Sequence, residues 1–155
     1  MIYIGVVGGN TYSRREEAWA EETGRELARR GIVVLCGGRG GVMEAVARGV
    51  RSQGGLVVGI LPGTTREEGN PYLSLALATG LGNARNAVIA CAADGLIAIG
   101  GEYGTLSEIA LGLKFGRPVA SLGDCAGISS GDLKGVFAAS NPLEAIEYVL
   151  QRLKT

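Results

Sequence analysis

The sequence predicts an α/β fold in which a parallel sheet carries helices on both faces. Short apolar runs rich in β-branched residues recur along the chain, segments with helical periodicity separate them, and the connections are short and rich in glycine. Strands that are buried on both faces form continuous apolar runs, and parallel strands need crossover helices. We therefore expect a Rossmann-like, doubly wound sheet formed by one domain over residues 1–155.

The predicted elements alternate along the whole chain. Strands are expected at residues 2–7, 32–36, 56–61, 73–79, 95–99, 118–122 and 133–138. Helices are expected at residues 14–30, 42–52, 83–93, 104–114 and from 142 onward. Ser13 with Glu16 matches a capping box, and Asn141 with Pro142 marks the start of the last helix. Residues 63–72 are rich in turn formers and predict a surface loop of the kind that covers a site.

Composition excludes several classes of protein. The 15 basic and 15 acidic residues give a net charge of zero, which offers no general reason to expect a nucleic acid or a membrane as partner. No apolar stretch reaches the ~18 residues of a membrane span, and the chain opens directly on a strand, so we expect a cytoplasmic protein. The sequence has no histidine, which excludes Ser-His-Asp and Cys-His catalysis and His-based zinc sites. We expect neither a metal nor a cofactor.

The three cysteines are widely spaced and form no C-x-x-C pair. Cys36, Cys91 and Cys125 stand mostly among small or apolar neighbours. We expect buried or half-buried thiols at all three positions, with a nucleophile as the alternative.

Three glycine clusters follow predicted strands and lead into helices. A glycine turn at this position lets the backbone approach a ligand and points free N–H groups at an anion. Such sheets bind ligands beyond the carboxyl ends of their strands, so the clusters predict a phosphate-bearing ligand. A P-loop and a dinucleotide fingerprint are both missing from the sequence. The candidate binding residues are Gly8, Gly9, Asn10, Gly37, Gly38, Arg39, Gly40, Gly41, Met43, Gly101, Glu102, Gly104 and Thr105.

Two charged residues are candidates for chemistry at this ligand. Gly104 and Thr105 open a predicted helix, where N–H groups and the Thr105 hydroxyl can hold an oxyanion. Glu108 lies one turn further on, and it either faces the same pocket or only complements the helix dipole. Arg85 begins another helix, and it either clamps a phosphate and polarises a leaving group or is an ordinary surface arginine.

These residues resemble those of the LONELY GUY (LOG)-type proteins, once labelled possible lysine decarboxylases. The resemblance covers roughly residues 2–122, and its carriers are Gly37 to Met43, Gly54 to Pro62, Arg85, and Gly101 to Glu108. The plant-type enzymes of this family release a free base from a nucleoside 5′-monophosphate and leave ribose 5-phosphate. Their signature P-G-G-x-G-T-x-x-E is matched at Gly101, Gly104, Thr105 and Glu108.

The resemblance implies roles for the two charged candidates. Glu108 would stabilise positive charge on the ribose or activate water, Arg85 would assist departure of the base or hold the substrate, and the Gly104-Thr105 turn would take the 5′-phosphate. N-glycosidic cleavage passes through an oxocarbenium-like state that a carboxylate stabilises, so this chemistry needs no histidine. The family also implies a homodimer or a higher homo-oligomer.

Three positions depart from the enzymes. Gly100 replaces the proline of the signature, Glu102 replaces its second glycine, and Asn86 stands where the enzymes usually carry lysine. An added carboxylate repels a phosphate dianion, and the lost lysine removes a positive charge. With the added carboxylate and without the lysine, the chain resembles a divergent subgroup of shorter chains. Some members of this subgroup are similar to proteins that bind and protect the molybdenum cofactor, a pterin with a phosphate, without turning it over. A lysine decarboxylase is not supported, because no lysine is marked as a Schiff-base site.

The leading hypothesis is a phosphoribohydrolase that acts on a purine nucleoside 5′-monophosphate. The alternative is a non-catalytic carrier of the molybdenum cofactor or of a similar phosphorylated heterocycle, and a third possibility is a nucleotide sensor with a protein partner. The helices at residues 83–93 and 104–114 are rich in small and apolar residues. Such helices pack against a partner subunit or lie in the core of a monomer, and we expect a homodimer.

Overall fold

The computed structural model of the protein describes residues 1–154. The strands in this range are β1 (Tyr3–Gly8), β2 (Val33–Cys36), β3 (Val57–Leu61), β4 (Leu75–Ala78), β5 (Gly95–Ile99), β6 (Val119–Leu122) and β7 (Val136–Ala138). The α-helices are α1 (Arg14–Arg29), α2 (Val42–Ser52), α3 (Arg85–Ala92), α4 (Tyr103–Lys114) and α5 (Pro142–Leu153). Short 3-10 turns at Arg66–Glu68, Gly82–Ala84 and Ser130–Asp132 lie in the connections.

The seven described strands form one parallel sheet in the order β4-β3-β2-β1-β5-β6-β7. The chain builds outward from β1 to β4 and then returns to the other side of β1 with β5. The predicted Rossmann-like, doubly wound sheet is therefore confirmed. Neighbouring connections leave on opposite faces of the sheet at this reversal, which opens a crevice at the carboxyl ends of β1 and β5.

Each face of the sheet has its own apolar core. On one face, α1, α2 and α5 bury Leu27, Val46 and Ile146 against the strands. On the other face, α3 and α4 bury Ile89 and Ile109. Full burial of one such side chain contributes about 1.5–3 kcal/mol, so the two cores hold the sheet rigidly under the loops at its edge.

Helices α1 and α2 cross at two glycines that permit backbone contact. A Cβ atom at Gly24 would clash with the carbonyl oxygen of Val46, and one at Gly49 would clash with that of Glu21. Both atoms would lie far inside van der Waals contact. The close crossing holds the first turns of both helices at the same end of the sheet.

The helix start signals are confirmed. The Ser13 hydroxyl accepts the Glu16 N–H, and the Glu16 carboxylate accepts the Ser13 N–H, which completes a capping box. The Asn141 side chain accepts the Glu144 N–H, and Pro142 occupies the first turn of α5.

Two predicted strands are shorter than expected by three residues each. The strand predicted at 73–79 begins at Leu75, because the Leu73 side chain lies against the backbone of Gly59 and Gly38. The strand predicted at 133–138 begins at Val136, because Gly135 has a φ of +88° and breaks the extended conformation.

The predicted surface loop at residues 63–72 packs against the β2–α2 turn. The Asn70 N–H donates to the Gly38 carbonyl over 2.8 Å, and the Asn70 amide donates to the Arg39 carbonyl over 2.9 Å. The loop is thereby fixed beside β3, away from the carboxyl end of β5. Within residues 1–154, no helix combines the length and the apolar character that a membrane crossing requires.

Candidate functional site

A cavity of about 430 Å³ opens at the carboxyl ends of β1, β2 and β5. It lies at the reversal of strand order, and its volume falls within the range of about 300–1,000 Å³ that is usual for small-molecule sites. From the first half of the chain, the predicted residues that line it are Gly8, Gly9, Asn10, Gly37 and Met43. From the second half they are Arg85, Gly101, Glu102, Gly104, Thr105 and Glu108.

The predicted binding residues Gly38, Arg39, Gly40 and Gly41 do not line this cavity. Gly38 lies against Leu61, and its carbonyl oxygen accepts the Asn70 N–H from the loop at residues 63–72. A Cβ atom at Gly41 would clash with the carbonyl oxygen of Gly9. Close packing therefore accounts for Gly38 and Gly41, and a binding role for this part of the β2–α2 turn stays a prediction. Arg39 is close enough to Arg85 for its positive charge to lower the pKa of the Arg85 guanidinium.

Several lining residues were missed by the sequence analysis as binding residues. They come from β1, the β1–α1 loop, α1, the 3-10 turn before α3, α3 and the loop after β6, and they are Val7, Thr11, Glu16, Asn83, Asn86, Asp124, Ala126 and Gly127. The sequence analysis assigned Glu16 only to the capping box, although its side chain also lines the cavity. The loop after β6 follows the strand next to β5, and the rule that ligands sit beyond the carboxyl ends of strands was the signal that could have identified it.

Arg85 enters the cavity from the start of α3 and is anchored by the backbone. Its Nη1 donates to the carbonyl oxygens of Gly37 over 2.8 Å and of Ile60 over 3.0 Å. Its Nε is buried with no acceptor among the described residues, and burial lowers the pKa of the guanidinium although Glu108 opposes that shift. Arg85 is therefore not an ordinary surface arginine, because it places a fixed positive charge at the carboxyl ends of β2 and β3.

Glu108 is a buried carboxyl group that faces the cavity. It lies in the second turn of α4, is 7% exposed, and forms no hydrogen bond with any residue that the structure describes. Burial raises the pKa of Glu108 to about 8, and the nearby Arg85 only partly offsets this effect. A burial this deep excludes the reading of Glu108 as a solvated partner of the helix dipole. Near neutral pH, a large fraction of the group carries a proton.

The first turn of α4 offers hydrogen-bond donors to the cavity. The N–H groups of this turn have no partner inside the helix, and the Thr105 side chain is buried with no hydrogen bond to the described part of the chain. Asn86 braces the turn from α3, since its amide donates to the Gly104 carbonyl and to the Ser107 hydroxyl. Asn86, which stands where the enzymes usually carry lysine, thus stabilises the turn by hydrogen bonds and adds no positive charge.

Carboxyl groups outnumber cations in the cavity. Among the described lining residues, Glu16, Glu102, Glu108 and Asp124 are acidic, and Arg85 is the only basic one. Glu102 stands at the N-cap of α4 without a capping hydrogen bond. The charge is unevenly distributed, because Arg85 lies at the β2 and β3 side whereas the Glu16 carboxylate packs on Gly100 at the end of β5.

The loop at residues 123–128 forms one wall of the cavity and is held firmly. The Ala126 N–H donates to the Gly101 carbonyl over 3.0 Å, and Cys125 and Ile128 exchange backbone hydrogen bonds. Ala126 has a φ of +51°, a conformation that costs energy for any residue with a Cβ atom. This strained, bonded loop presents Asp124 to the cavity.

Two of the three cysteines match the prediction of buried thiols. Cys36 and Cys125 are buried, and burial raises their pKa values to about 12 and about 11 respectively. Both therefore remain protonated at neutral pH. The prediction was wrong for Cys91, which is exposed because it lies on the outer face of α3. Among residues 1–154, no group of three or more Asp, Glu or Cys side chains is arranged to hold a metal ion.

The chain is thus a doubly wound α/β protein with a cavity of small-molecule size at the switch point of its sheet. The chain belongs to the SLOG cluster4 family, whose model matches residues 1–146. It is similar to the molybdenum cofactor binding protein of Rippkaea orientalis, with a TM-score of 0.89 and 36% identity over 99% of this chain and 98% of that one. The molybdenum cofactor carrier protein of Chlamydomonas reinhardtii is also similar, with a TM-score of 0.88 and 32% identity over the full length of both chains.

A rice protein extends the comparison toward enzymes. The probable cytokinin riboside 5′-monophosphate phosphoribohydrolase LOGL9 of Oryza sativa subsp. japonica is 34% identical over 111 residues. The match covers 70% of this chain but only 48% of the rice protein, so the chain spans about half the length of this relative. The resemblance to LOG-type proteins is thereby confirmed.

Proposed function

We propose that the chain binds a phosphorylated heterocycle of the molybdenum cofactor type in this cavity and holds it without turnover. The observation that carries the proposal is the altered first turn of α4. Its free N–H groups and the Thr105 hydroxyl remain available for an oxyanion, whereas Asn86 braces the turn in place of a cation and Glu102 adds a carboxylate. Binding elements are kept, and charges that would assist hydrolysis of a nucleotide are lost.

Arg85 supports the same proposal from the opposite side of the cavity. Both of its hydrogen bonds to the described residues are made by Nη1, so Nη2 can donate to an anionic group without releasing Gly37 or Ile60. The solved structures that match over their full length, from Rippkaea orientalis and Chlamydomonas reinhardtii, bear names that refer to the molybdenum cofactor. They support a carrier more strongly than a relative that matches over half its length.

The carrier function is tested on protein purified from a bacterium that makes the molybdenum cofactor. The protein is denatured and oxidised, and pterin fluorescence and molybdenum content are measured per chain. We expect retained pterin in the wild type and less in Thr105→Val, which loses the cavity hydroxyl but keeps its shape. Thr65→Val, on an exposed loop, is the matched control and should retain as much as the wild type. Retention no greater than that of an unrelated protein contradicts the carrier function.

The second candidate is the phosphoribohydrolase, and the placement of Arg85 and Glu108 in one cavity favours it. A carboxylate close to a ribose can stabilise the oxocarbenium-like state, and Arg85 can assist the departing base. Because only the ionised form of Glu108 can act in this way, base release should increase with pH and level off above the pKa of about 8.

The hydrolase is tested by incubation with nucleoside 5′-monophosphates, and free base and ribose 5-phosphate are measured by chromatography. Glu108→Gln should abolish release and leave binding largely intact, whereas Glu67→Gln, on an exposed turn, should behave as the wild type. Equal release in Glu108→Gln and the wild type rules out the catalytic role of this carboxyl group.

A further inference from the structure

We infer that the cavity selects a heterocycle with the 2-amino-4-oxo edge that guanine and pterins share, and that the carboxylates of Asp124 and Glu102 bind this edge. The inference rests on the proposed binding of a phosphorylated heterocycle and specifies its ring. It assigns a specificity role to two residues outside the pair of Arg85 and Glu108.

Two carboxylates in the cavity are free to bind a ligand that donates hydrogen bonds. The side chains of Asp124 and Glu102 are exposed and form no hydrogen bond or ion pair with the residues that the structure describes, and an ionised carboxylate is an acceptor only. Glu16 has already committed one oxygen to the Ser13 N–H. Glu108 is buried at the cavity and has no hydrogen-bond partner in the described chain, which points independently to a ligand in the interior of the cavity.

The two carboxylates are brought to the same side of the cavity by backbone contacts. The Ala126 N–H donates to the Gly101 carbonyl, which ties the loop of Asp124 to the turn of Glu102. The Cys125 thiol donates to the Glu102 carbonyl over 3.5 Å, which is a second hydrogen bond between the same loop and the same turn. A small part of the cavity therefore carries two acceptor groups on a rigid support.

A carboxylate has two parallel acceptor oxygens, and it is best matched by two adjacent N–H donors. The 2-amino-4-oxo ring offers such a pair, the ring N–H and the exocyclic amino group. Adenine offers one amino group beside a ring nitrogen whose lone pair repels the second oxygen. Hypoxanthine keeps the ring N–H and lacks the exocyclic amino group. The cavity should therefore rank guanine above hypoxanthine and adenine.

The distribution of charge also orients the ligand. Arg85 is anchored at the ends of β2 and β3, on the side away from the loop of Asp124. A dianionic group is repelled by Asp124 and Glu102 and attracted by Arg85. We thus place the donor edge of the ring at the exposed carboxylates of Asp124 and Glu102, with the phosphate directed inward, toward Arg85 and the hydroxyl of the buried Thr105.

The test measures the affinity of purified protein for guanosine, inosine and adenosine 5′-monophosphates by calorimetry. Guanosine and inosine monophosphates differ only in the exocyclic amino group. We expect the guanosine nucleotide to bind about tenfold or more tightly than either of the others, the effect of one hydrogen bond to a charged acceptor. In the double variant Asp124→Asn with Glu102→Gln this preference should disappear. Asp132→Asn, an exposed residue outside the cavity, should keep it.

Pterin and lumazine form a second matched pair, because lumazine carries an oxygen in place of the 2-amino group. Pterin should bind more tightly than lumazine, again only while Asp124 and Glu102 are intact. Binding without preference in either pair, or a preference that survives in the double variant, overturns this inference and leaves the carrier function standing. Absence of binding by every probe to the folded protein overturns both.

Discussion

At the scale of single residues, the cavity places a carboxyl group where water cannot solvate its charge. Glu108 is buried in the second turn of α4, and its one nearby cation, Arg85, already donates to two carbonyl oxygens. The proton is therefore held more tightly in the folded chain than in the unfolded one. This difference couples the stability of the protein to pH.

Glu108→Gln should remove this coupling. The folded pKa is raised from 4.5 to about 8, so the stability is complete below pH 4.5, decreases as the pH rises, and reaches its lower limit above about 8. At 1.36 kcal/mol per pH unit the full loss is on the order of 5 kcal/mol. In urea unfolding we expect the variant to match the wild type at pH 5 and to exceed it at pH 9.

A comparison with Glu67→Gln separates burial from the simple loss of a charge, because Glu67 is exposed. A lower free energy of unfolding for Glu108→Gln at pH 9 would contradict the proposed cause of the shift.

Residues that line the cavity could be predicted from the sequence where they belong to a single glycine turn between a strand and a helix. Gly8, Gly101 and Thr105 belong to such turns, and they line the cavity. Asp124 and Glu16 could not be found in this way, because their approach depends on how the loop after β6 and the first turn of α1 pack on the end of β5. The burial of Glu108 likewise depends on contacts from several elements.

At the scale of elements, the crossing of α1 and α2 depends on two glycines. Neither glycine can carry a Cβ atom, since the carbonyl oxygens of Val46 and Glu21 occupy that space. The order of strands and helices could be predicted from hydrophobic periodicity and caps, but this crossing could not, because both glycines look like ordinary interruptions of a helical pattern. The start of β4 was misplaced because tertiary contacts of Leu73 overrode the local pattern, and the start of β7 because Gly135 has a positive φ.

Gly49→Ala should destabilise the protein by about 1–3 kcal/mol, although alanine is the better helix former. The added methyl group would force the two helix backbones apart. Urea denaturation measures the effect, and Gly131→Ala serves as control because a Cβ atom there meets nothing within 4 Å. An increase in stability for Gly49→Ala would show that the helices separate without cost.

At the scale of the whole molecule, one face of the sheet is incompletely covered. Leu75 and Leu77 of the edge strand β4 are 54% and 51% exposed, and Tyr103 of α4 is 76% exposed. Cys91 of α3 and Ala110 of α4 are exposed on the same side of the sheet. We propose that this face packs against a second copy of the chain, as the small apolar residues of both helices suggest.

Ala110→Arg should convert such a dimer to monomers, because a charge would be buried between two apolar surfaces. Sedimentation velocity measures the change, and an unaltered circular dichroism spectrum shows that the fold is intact. Ala18→Arg makes the same substitution on an exposed part of α1 and should leave the mass unchanged. A monomeric wild type, or a dimer that persists in Ala110→Arg, contradicts the proposed interface.

The anchoring of Arg85 also restricts how this protein can evolve. The same guanidinium that lines the cavity holds the ends of β2 and β3 through Gly37 and Ile60. A substitution that retunes affinity at this position also loosens the sheet, so selection acts on both properties at once. Asp124 and Glu102 have no such structural role, since their side chains form no hydrogen bond or ion pair with the described residues. New ligand preferences can arise there by single substitutions, while the scaffold around Arg85 stays fixed.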